Sequence, residues 1–288
     1  MSSNAYEPLD GKKWEYLGDK WRNDTGIGWD SDGIRGYVFA SEKNDTVVIS
    51  FKGTSASLFM VGGSPTSAKD KLNDNRLFSC CCARVDYSWK TVCGCYSGGK
   101  NCNITCLQDS LQSDDLYFLS AAKIIMDVAE NYPDAYMVLT GHSLGGSIAA
   151  LMGLTFGIPA VAFEAPGDLL AAKRLHLPMP PAIDHSDLPI YHIGHNADPI
   201  FLGTCNGASS SCYYGGYAME SKCHIGKECT FDVVKHLKWS QDIRHHRILE
   251  VLDLVLRPWG TEIENTTIPI CTTNKDCQDC DAWNFIDE

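Results

Sequence analysis

Gly141-His142-Ser143-Leu144-Gly145-Gly146 is the stretch of this chain whose residue types and spacing best suit chemistry. In a Gly-x-Ser-x-Gly turn the serine sits at the apex between a strand and a helix, and side chains two residues to either side collide with the turn. The apex lifts the hydroxyl clear of the sheet. The helix that follows aims backbone N–H groups and its positive end at a developing oxyanion. The chemistry is nucleophilic attack on an acyl carbon by Ser143, with Leu144, the next residue, as one oxyanion-hole donor. Alone, the pattern is weak in a chain with 25 glycines, and a Gly-rich turn without chemistry is the plain alternative. The surroundings strengthen it: an apolar strand, Tyr136–Thr140, precedes it and a helix, Ser143–Phe156, follows. Gly145, Ala149 and Gly153 recur every four residues, so one helix face is small enough to lie against a sheet.

A serine hydroxyl needs a base, and the base needs an orienting acid; in this kind of fold the chain order is Ser, acid, His. Asp198, in Asp198-Pro199, follows the expected strand Ile190–Gly194, where loops carry function. Asp-Pro is also a good turn former, so the residues alone leave acid and turn cap evenly matched. Asp184 and Asp187 are the reserve acids. The histidines after Asp198 are His224, His236, His245 and His246. His245 and His246 open an expected amphipathic helix, Asp242–Leu256. Helical spacing places His245 with Ile248, Leu249 and Leu252, which suits packing. His142, inside the sharp turn, is expected to be structural.

The elements that must position these groups alternate. Ile34–Ala40 and Thr46–Lys52 read as a hairpin, Asp114–Asn131 as a helix with acids at its start and Pro133 past its end, and Pro159–Glu164 as a further strand. Such alternation predicts an α/β fold with a mostly parallel central sheet and helices on both faces. Residues 55–110 hold seven cysteines and little periodicity, and read as a Cys-rich insert. Residues 205–229 read as a second Cys-bearing insert and 258–288 as a Cys-bearing tail, all within one domain spanning 1–288.

A formal net charge of −12 excludes general nucleic-acid binding and gives no attraction to anionic membranes. The 14 cysteines and four Asn-x-Thr sequons, at Asn23, Asn44, Asn103 and Asn265, point to disulfides, glycosylation and an oxidising compartment. The cysteines fall into groups at 80–106, 205–229 and 271–280, of which the first and last hold odd numbers, so full pairing needs a bridge between groups. The tail is expected to be stapled to the first insert. Zinc is the weaker alternative, since Cys93-Gly94-Cys95 and Cys277-Gln278-Asp279-Cys280 lack a partnered His pair. No apolar run is long enough to span a bilayer. A luminal chain beginning Met1-Ser2-Ser3-Asn4 is expected to be preceded in the natural protein by a signal or membrane anchor.

Gly-His-Ser-Leu-Gly-Gly, the strand ending Phe51-Lys52-Gly53-Thr54, and His195-Asn196-Ala197-Asp198-Pro199-Ile200 together resemble the class 3, fungal-type lipases. The Cys-rich insert after Lys-Gly-Thr and the run Phe163-Glu164-Ala165-Pro166-Gly167 resemble the autophagy-related, vacuolar branch of that family most. The likeness covers about residues 30–257. The resemblance implies an α/β-hydrolase fold, Asp198 as the acid and His246 rather than His245 as the base. It also implies Thr54 as the second oxyanion-hole residue, with a hydroxyl able to add a third hydrogen bond. It places a lid after Thr54, on the apolar run Leu58, Phe59, Met60 and Val61 with Gly62-Gly63-Ser64-Pro65 as hinge; ordinary core is the alternative. The implied activity is hydrolysis of acyl esters in membrane phospholipids or acylglycerols, in the lumen of a vacuole or multivesicular body. Neither metal nor organic cofactor is called for, no obligate protein partner is evident, and the partner is the lipid itself. The competing functions are a secreted carboxylesterase of feruloyl-esterase type and a catalytically silent binding protein on the same fold.

Overall fold

Val47, Ile49 and Phe51 alternate with Val48 and Ser50, so both faces of one strand are apolar or small, as a strand covered on both sides requires. In the computed structural model this strand lies inside a seven-stranded sheet. The structure describes residues 1–9, 11–31, 33–55, 64–81, 93–179, 185–207 and 209–287. The strands are β1 (Trp21–Ile27), β2 (Gly36–Ser41), β3 (Thr46–Phe51), β4 (Asn101–Asn103), β5 (Tyr136–His142), β6 (Ala160–Phe163), β7 (Ile190–His195), β8 (Lys227–Phe231) and β9 (Asn284–Ile286). The helices are α1 (Ser67–Phe78), α2 (Ile104–Leu111), α3 (Tyr117–Asn131), α4 (Leu144–Phe156), α5 (Leu169–Arg174), α6 (Ser211–Gly215), α7 (Val233–Leu237) and α8 (Ile248–Val251).

The first three strands pair antiparallel, and β3, β5, β6, β7 and β8 run parallel. This is the mostly parallel α/β sheet the alternation predicts, and it agrees with the α/β-hydrolase fold that the resemblance implies. Ile49 and Leu139 face one core, shared with Ile148 of α4 and Ile125 of α3. Val48 and Val138, one residue out of phase, face the other side, under Met1, Trp14 and Leu17 and beside Ile248 and Leu252.

Four expectations need correction. First, α3 starts at Tyr117, so Asp114 and Asp115 lie in the preceding turn rather than in the first helical turn. Second, the 55–110 region contains α1, whose Leu77 and Phe78 belong to the main core. Its buried face also carries Asp70, Asn73, Asp74 and Asn75, so no apolar period announces it. Third, the 205–229 segment ends in β8, an integral sheet strand, and is only in part an insert. Fourth, the expected helix Asp242–Leu256 is three pieces. A 3₁₀ turn covers Ile243–His246, Arg247 is extended (φ −68°, ψ 126°), and α8 then runs into a π turn, Leu252–Leu256.

Among the described residues six disulfides are present: Cys80–Cys280, Cys81–Cys102, Cys95–Cys106, Cys205–Cys212, Cys223–Cys277 and Cys229–Cys271. The tail is tied to the first insert by Cys80–Cys280, as expected. Its other two cysteines pair with the second group instead. The two Cys motifs with a superficial zinc-knuckle look thus have Cys95, Cys277 and Cys280 oxidised to disulfides. Chains stabilised this way belong to oxidising compartments. No described helix is long and apolar enough to cross a membrane.

Candidate active site

Ser143 stands between β5 and α4 with φ 57° and ψ −132°, a conformation that non-glycine residues adopt only when their surroundings impose it. Here the surroundings do. A Cβ on Gly141 would lie 2.3 Å from the Gly145 carbonyl carbon, and one on Gly145 would lie 2.3 Å from the Phe51 oxygen. The two motif glycines therefore let the turn close on itself and let α4 start against the end of β3. The Ser143 carbonyl accepts from the N–H groups of Gly146 (2.9 Å) and Ser147 (3.1 Å), which begins the helix. Leu144 is its first residue, and a first-turn N–H has no acceptor within its own helix.

The Ser143 hydroxyl lies 2.8 Å from His246 Nε2, and His246 Nδ1 lies 2.7 Å from Asp198 Oδ2. All three residues are buried, with relative exposures of 4%, 1% and 0%. Asp198 Oδ1 accepts the Ile200 N–H at 2.8 Å, a bond inside the Asp-Pro turn that orients the carboxylate. Burial alone would raise the Asp198 carboxyl. The His246 ring, its hydrogen bond and a hydrogen bond from Glu164 outweigh burial and hold it down at about 2. Asp198 is ionised, His246 is aligned by it, and Ser143 is aligned by His246. A serine so placed can pass its proton to His246 as it attacks a carbonyl.

The competing histidine does something else. His245 stacks on Trp239 at 4.0 Å between ring centroids, and its Nδ1 meets Glu250 Oε1 at 2.7 Å. His224 bonds the Ala165 carbonyl at 3.0 Å, far along the chain from the Ser143 turn. Of the reserve acids, Asp187 sits in a 3₁₀ turn before β7, and Asp184 lies outside the described residues.

Gly53 brings the end of β3 against the nucleophile turn: a Cβ there would lie 2.2 Å from the His142 oxygen and 3.0 Å from Ser143 Cβ. Thr54 follows, buried beside this turn. Its hydroxyl donates to Asp74 Oδ2 at 2.6 Å, so it is already engaged rather than free as a third oxyanion donor. Asp74 is pushed up to about 8, first by burial and then by the nearby Asp70 charge. Asp70 in turn accepts from Lys52 Nζ (3.2 Å), Thr66 Oγ1 (2.8 Å), the Ser55 N–H (2.9 Å) and the Tyr117 hydroxyl (2.8 Å). One turn of α1 thus anchors the whole Lys52–Ser55 segment. Sequence reasoning missed both acids, although their i, i+4 spacing places them on one face once the helix is known. It also missed Tyr6, whose hydroxyl reaches His142 Nδ1 at 2.7 Å. The expected lid residues Leu58, Phe59, Met60 and Val61 lie outside the described residues.

A cavity of about 380 Å³ opens beside His246, lined by Tyr6, Thr54, His142, Ile248 and Leu249, with Glu7, Lys13, Arg247 and Glu250 among its charged residues. That volume suits a small organic ligand or one end of a larger one.

Fold and site together define an α/β-hydrolase with a buried Ser–His–Asp constellation. Residues 86–161 match the family model described as lipase (class 3). A Kluyveromyces lactis protein named "Putative lipase ATG15" is 50% identical over 295 residues, covering 99% of this chain and 54% of that protein. Its namesake in Cryptococcus neoformans var. neoformans is 53% identical over 267 residues, covering 92% and 51%. Among solved structures, the nonglycosylated LIP2 lipase of Yarrowia lipolytica is similar at 18% identity and a TM-score of 0.42, over 80% of this chain and 76% of that one. The chain belongs to the class 3 lipase family. It spans about half the length of the curated relatives it matches.

Proposed function

We propose that this chain is a serine lipase that hydrolyses acyl esters, with Ser143 as nucleophile, His246 as general base and Asp198 as its orienting acid. The observation that carries the reading is the pair of hydrogen bonds, 2.8 Å and 2.7 Å, that joins the three side chains within a buried turn. Leu144 and Thr54 supply the backbone donors of the oxyanion hole. Support for Thr54 is the tight packing of Gly53 on the Ser143 turn, and support for Leu144 is its place at the first turn of α4. The attacking hydroxyl gives its proton to His246, the acyl-enzyme forms, and His246 returns the proton to the leaving alcohol. Water then repeats the sequence to release the fatty acid.

The substrate class is acyl ester in membrane lipid, both phospholipid and acylglycerol, and the setting is the lumen of a vacuole or multivesicular body, in breakdown of autophagic membranes. The names of the relatives and the disulfide-held fold support that setting. Asn44 and Asn265, both exposed on left-handed turns (φ 57° and 58°), are accessible glycan acceptors. Asn103 caps α2 through its oxygen, which leaves its nitrogen for a glycan, and Asn23 is half-buried.

The test treats the purified chain with a fluorophosphonate, a matched series of short- and long-chain p-nitrophenyl esters, and phospholipid and triacylglycerol liposomes. Labelling at Ser143, loss of turnover in Ser143→Ala, and release of fatty acid from liposomes are expected. Turnover of short soluble esters alone would replace the lipase with a carboxylesterase. An unlabelled, folded protein whose properties Ser143→Ala does not alter would leave a silent binding protein.

A further inference from the structure

His246 ends a turn that does not continue into a regular helix. Ile243–His246 is a single 3₁₀ turn and Arg247 is extended, so no helical ladder runs on past His246 to fix its direction. The last carbonyls of such a turn find no N–H within it. Two imidazoles from the sheet meet them. His195, the last residue of β7, places its Nε2 3.1 Å from the His245 carbonyl oxygen. His142, the last residue of β5, places its Nε2 2.8 Å from the His246 carbonyl oxygen.

Of the two, His195 also touches the loop of the acid. Its Nδ1 accepts the Ala197 N–H at 3.2 Å, and its backbone carbonyl accepts the Asp198 N–H at 3.2 Å. A carbonyl only accepts, so Nε2 carries the ring proton; Nδ1 accepts, so the ring is neutral. Burial acts the same way by lowering its affinity for a second proton. The residue is fully buried, and its surroundings hold the ring in place. Glu164 Oε2 accepts the His195 N–H at 3.3 Å, and Oε1 lies 3.7 Å from Nε2. The Trp239 ring meets His195 edge-on at 5.6 Å between centroids and stacks on His245 at 4.0 Å. The loop of the acid has backbone bonds of its own, since the Ala197 carbonyl accepts the Asp242 N–H at 3.2 Å. The ring nitrogen that reaches the turn of the base is Nε2.

We propose that His195 is a positioning residue for the base: its Nε2–H holds the His245 carbonyl and, through it, the direction of the His246 side chain. This rests on the reading of Ser143, His246 and Asp198 as a working triad. The 2.7 Å bond between His246 and Asp198 joins segments 48 residues apart, so its length depends on where both backbones lie. His195 ties the two backbones together through one rigid ring. A turn released from that ring can shift, and a shift at His246 lengthens its bonds to Asp198 and to Ser143 together. Misplacement of a reacting group by about 1 Å costs about 100-fold in rate.

The test compares two neutral amides. In place of histidine, Gln puts its amide nitrogen near Nε2, and Asn puts its amide oxygen near Nδ1. His195→Gln therefore keeps the donor to the His245 carbonyl, and His195→Asn keeps only the acceptor for Ala197. Each variant gives up one ring bond, so similar falls in Tm are expected and stability does not separate them. Activity does. With kcat and KM measured on a soluble ester, and the rate of Ser143 labelling by a fluorophosphonate beside them, His195→Gln is expected within about threefold of wild type, whereas His195→Asn loses about 10–100-fold in kcat and in labelling rate with KM nearly constant. Ring nitrogen shifts of His195 in the wild-type protein, read by ¹H–¹⁵N correlation, are expected to show Nε2 protonated and Nδ1 bare; this readout stands even if His195→Asn does not fold. A proton on Nδ1 in place of Nε2 would overturn the proposal. So would His195→Asn turning over like wild type, His195→Gln as slow as His195→Asn, or a loss confined to KM. Hydrolysis that survives Ser143→Ala would instead sink the triad reading, an outcome no His195 variant can mimic.

Discussion

The His142 ring reaches the His246 backbone: its Nε2 lies 2.8 Å from the His246 carbonyl oxygen, while its Nδ1 lies 2.7 Å from the Tyr6 hydroxyl. A carbonyl can only accept, so Nε2 carries the proton and Nδ1 accepts from the tyrosine. Burial, followed by the nearby His246 ring, lowers His142 to about 3, so it stays neutral in this role across the working range. The residue before the nucleophile thus fixes the turn that carries the base. His142→Phe removes both bonds, and losing the partner of a buried polar group costs about 1–3 kcal/mol. The expected result is a lowered Tm and a kcat reduced about 10–100-fold with little change in KM, while Tyr6→Phe shows a smaller loss of the same kind. Thermal melts and steady-state kinetics on a soluble ester check it. A His142→Phe enzyme with wild-type kcat would show that the base needs no such support.

Thr54 and Asp74 offer a stability test with a defined sign. The Asp74 carboxyl stands at about 8 in the folded chain against 3.8 for the free group. A raised folded value means that the contribution to stability is complete below about pH 4 and is lost as pH climbs through 8. Asn keeps the acceptor for Thr54 and removes the charge. Asp74→Asn is therefore expected to melt close to wild type in acid and progressively above it from about pH 5 to 8. Tm measured against pH decides this, and parallel curves for the two proteins would contradict it.

The Lys52–Asp70 pair should respond unequally to its two halves. Asp70 keeps the Ser55 N–H and the Thr66 and Tyr117 hydroxyls when the lysine is removed. Lys52 without Asp70 keeps the Gly53 carbonyl and the Thr66 hydroxyl, with no anion against its buried ammonium. Removing one partner of a buried pair costs about 3–5 kcal/mol when the other charge is left uncompensated. Asp70→Asn is expected near that range, and Lys52→Met at about half of it. Urea unfolding of both variants measures the gap; equal losses would mean that the hydrogen bonds, and not the charges, hold the turn.

These three tests also mark what was legible in the residues and what was not. Ser143 could be read because Gly141 and Gly145 are dictated by sterics within a few residues of it. Chain order made Asp198 a candidate but left it even with a turn cap, and family resemblance favoured it as the acid, as it favoured His246 over His245. The framework behind them could not be read. Asp70 and Asp74 lie on a helix whose buried face is polar, so α1 shows none of the apolar period by which helices are found. Glu164 resembles any acid after a strand until its burial and left-handed backbone are seen. The break at Arg247 is invisible too, since no Gly or Pro marks it and an amphipathic pattern continues through it. Disulfide partners depend on the fold, and two of the three tail cysteines went to the second insert rather than the first.

Those partners support a last prediction, drawn from loop length. Cys80–Cys280 closes a separation of 200 residues, whereas Cys205–Cys212 closes 7. In the chain-entropy model a cross-link stabilises by restricting the unfolded chain, and the effect grows with the logarithm of the loop, giving about 5 kcal/mol for the longer and about 2 for the shorter. Cys223–Cys277 also joins the tail to the body, so in its presence the effective loop closed by Cys80–Cys280 is shorter. The logarithm makes that reduction small. Paired serine substitution at Cys80 and Cys280 is therefore expected to lower unfolding free energy by about 4–5 kcal/mol, roughly twice the effect of the same change at Cys205 and Cys212. Guanidinium unfolding of both double variants tests this. A larger loss from the short loop would place the stabilisation in native contacts around Cys212, which is fully buried, rather than in the unfolded chain.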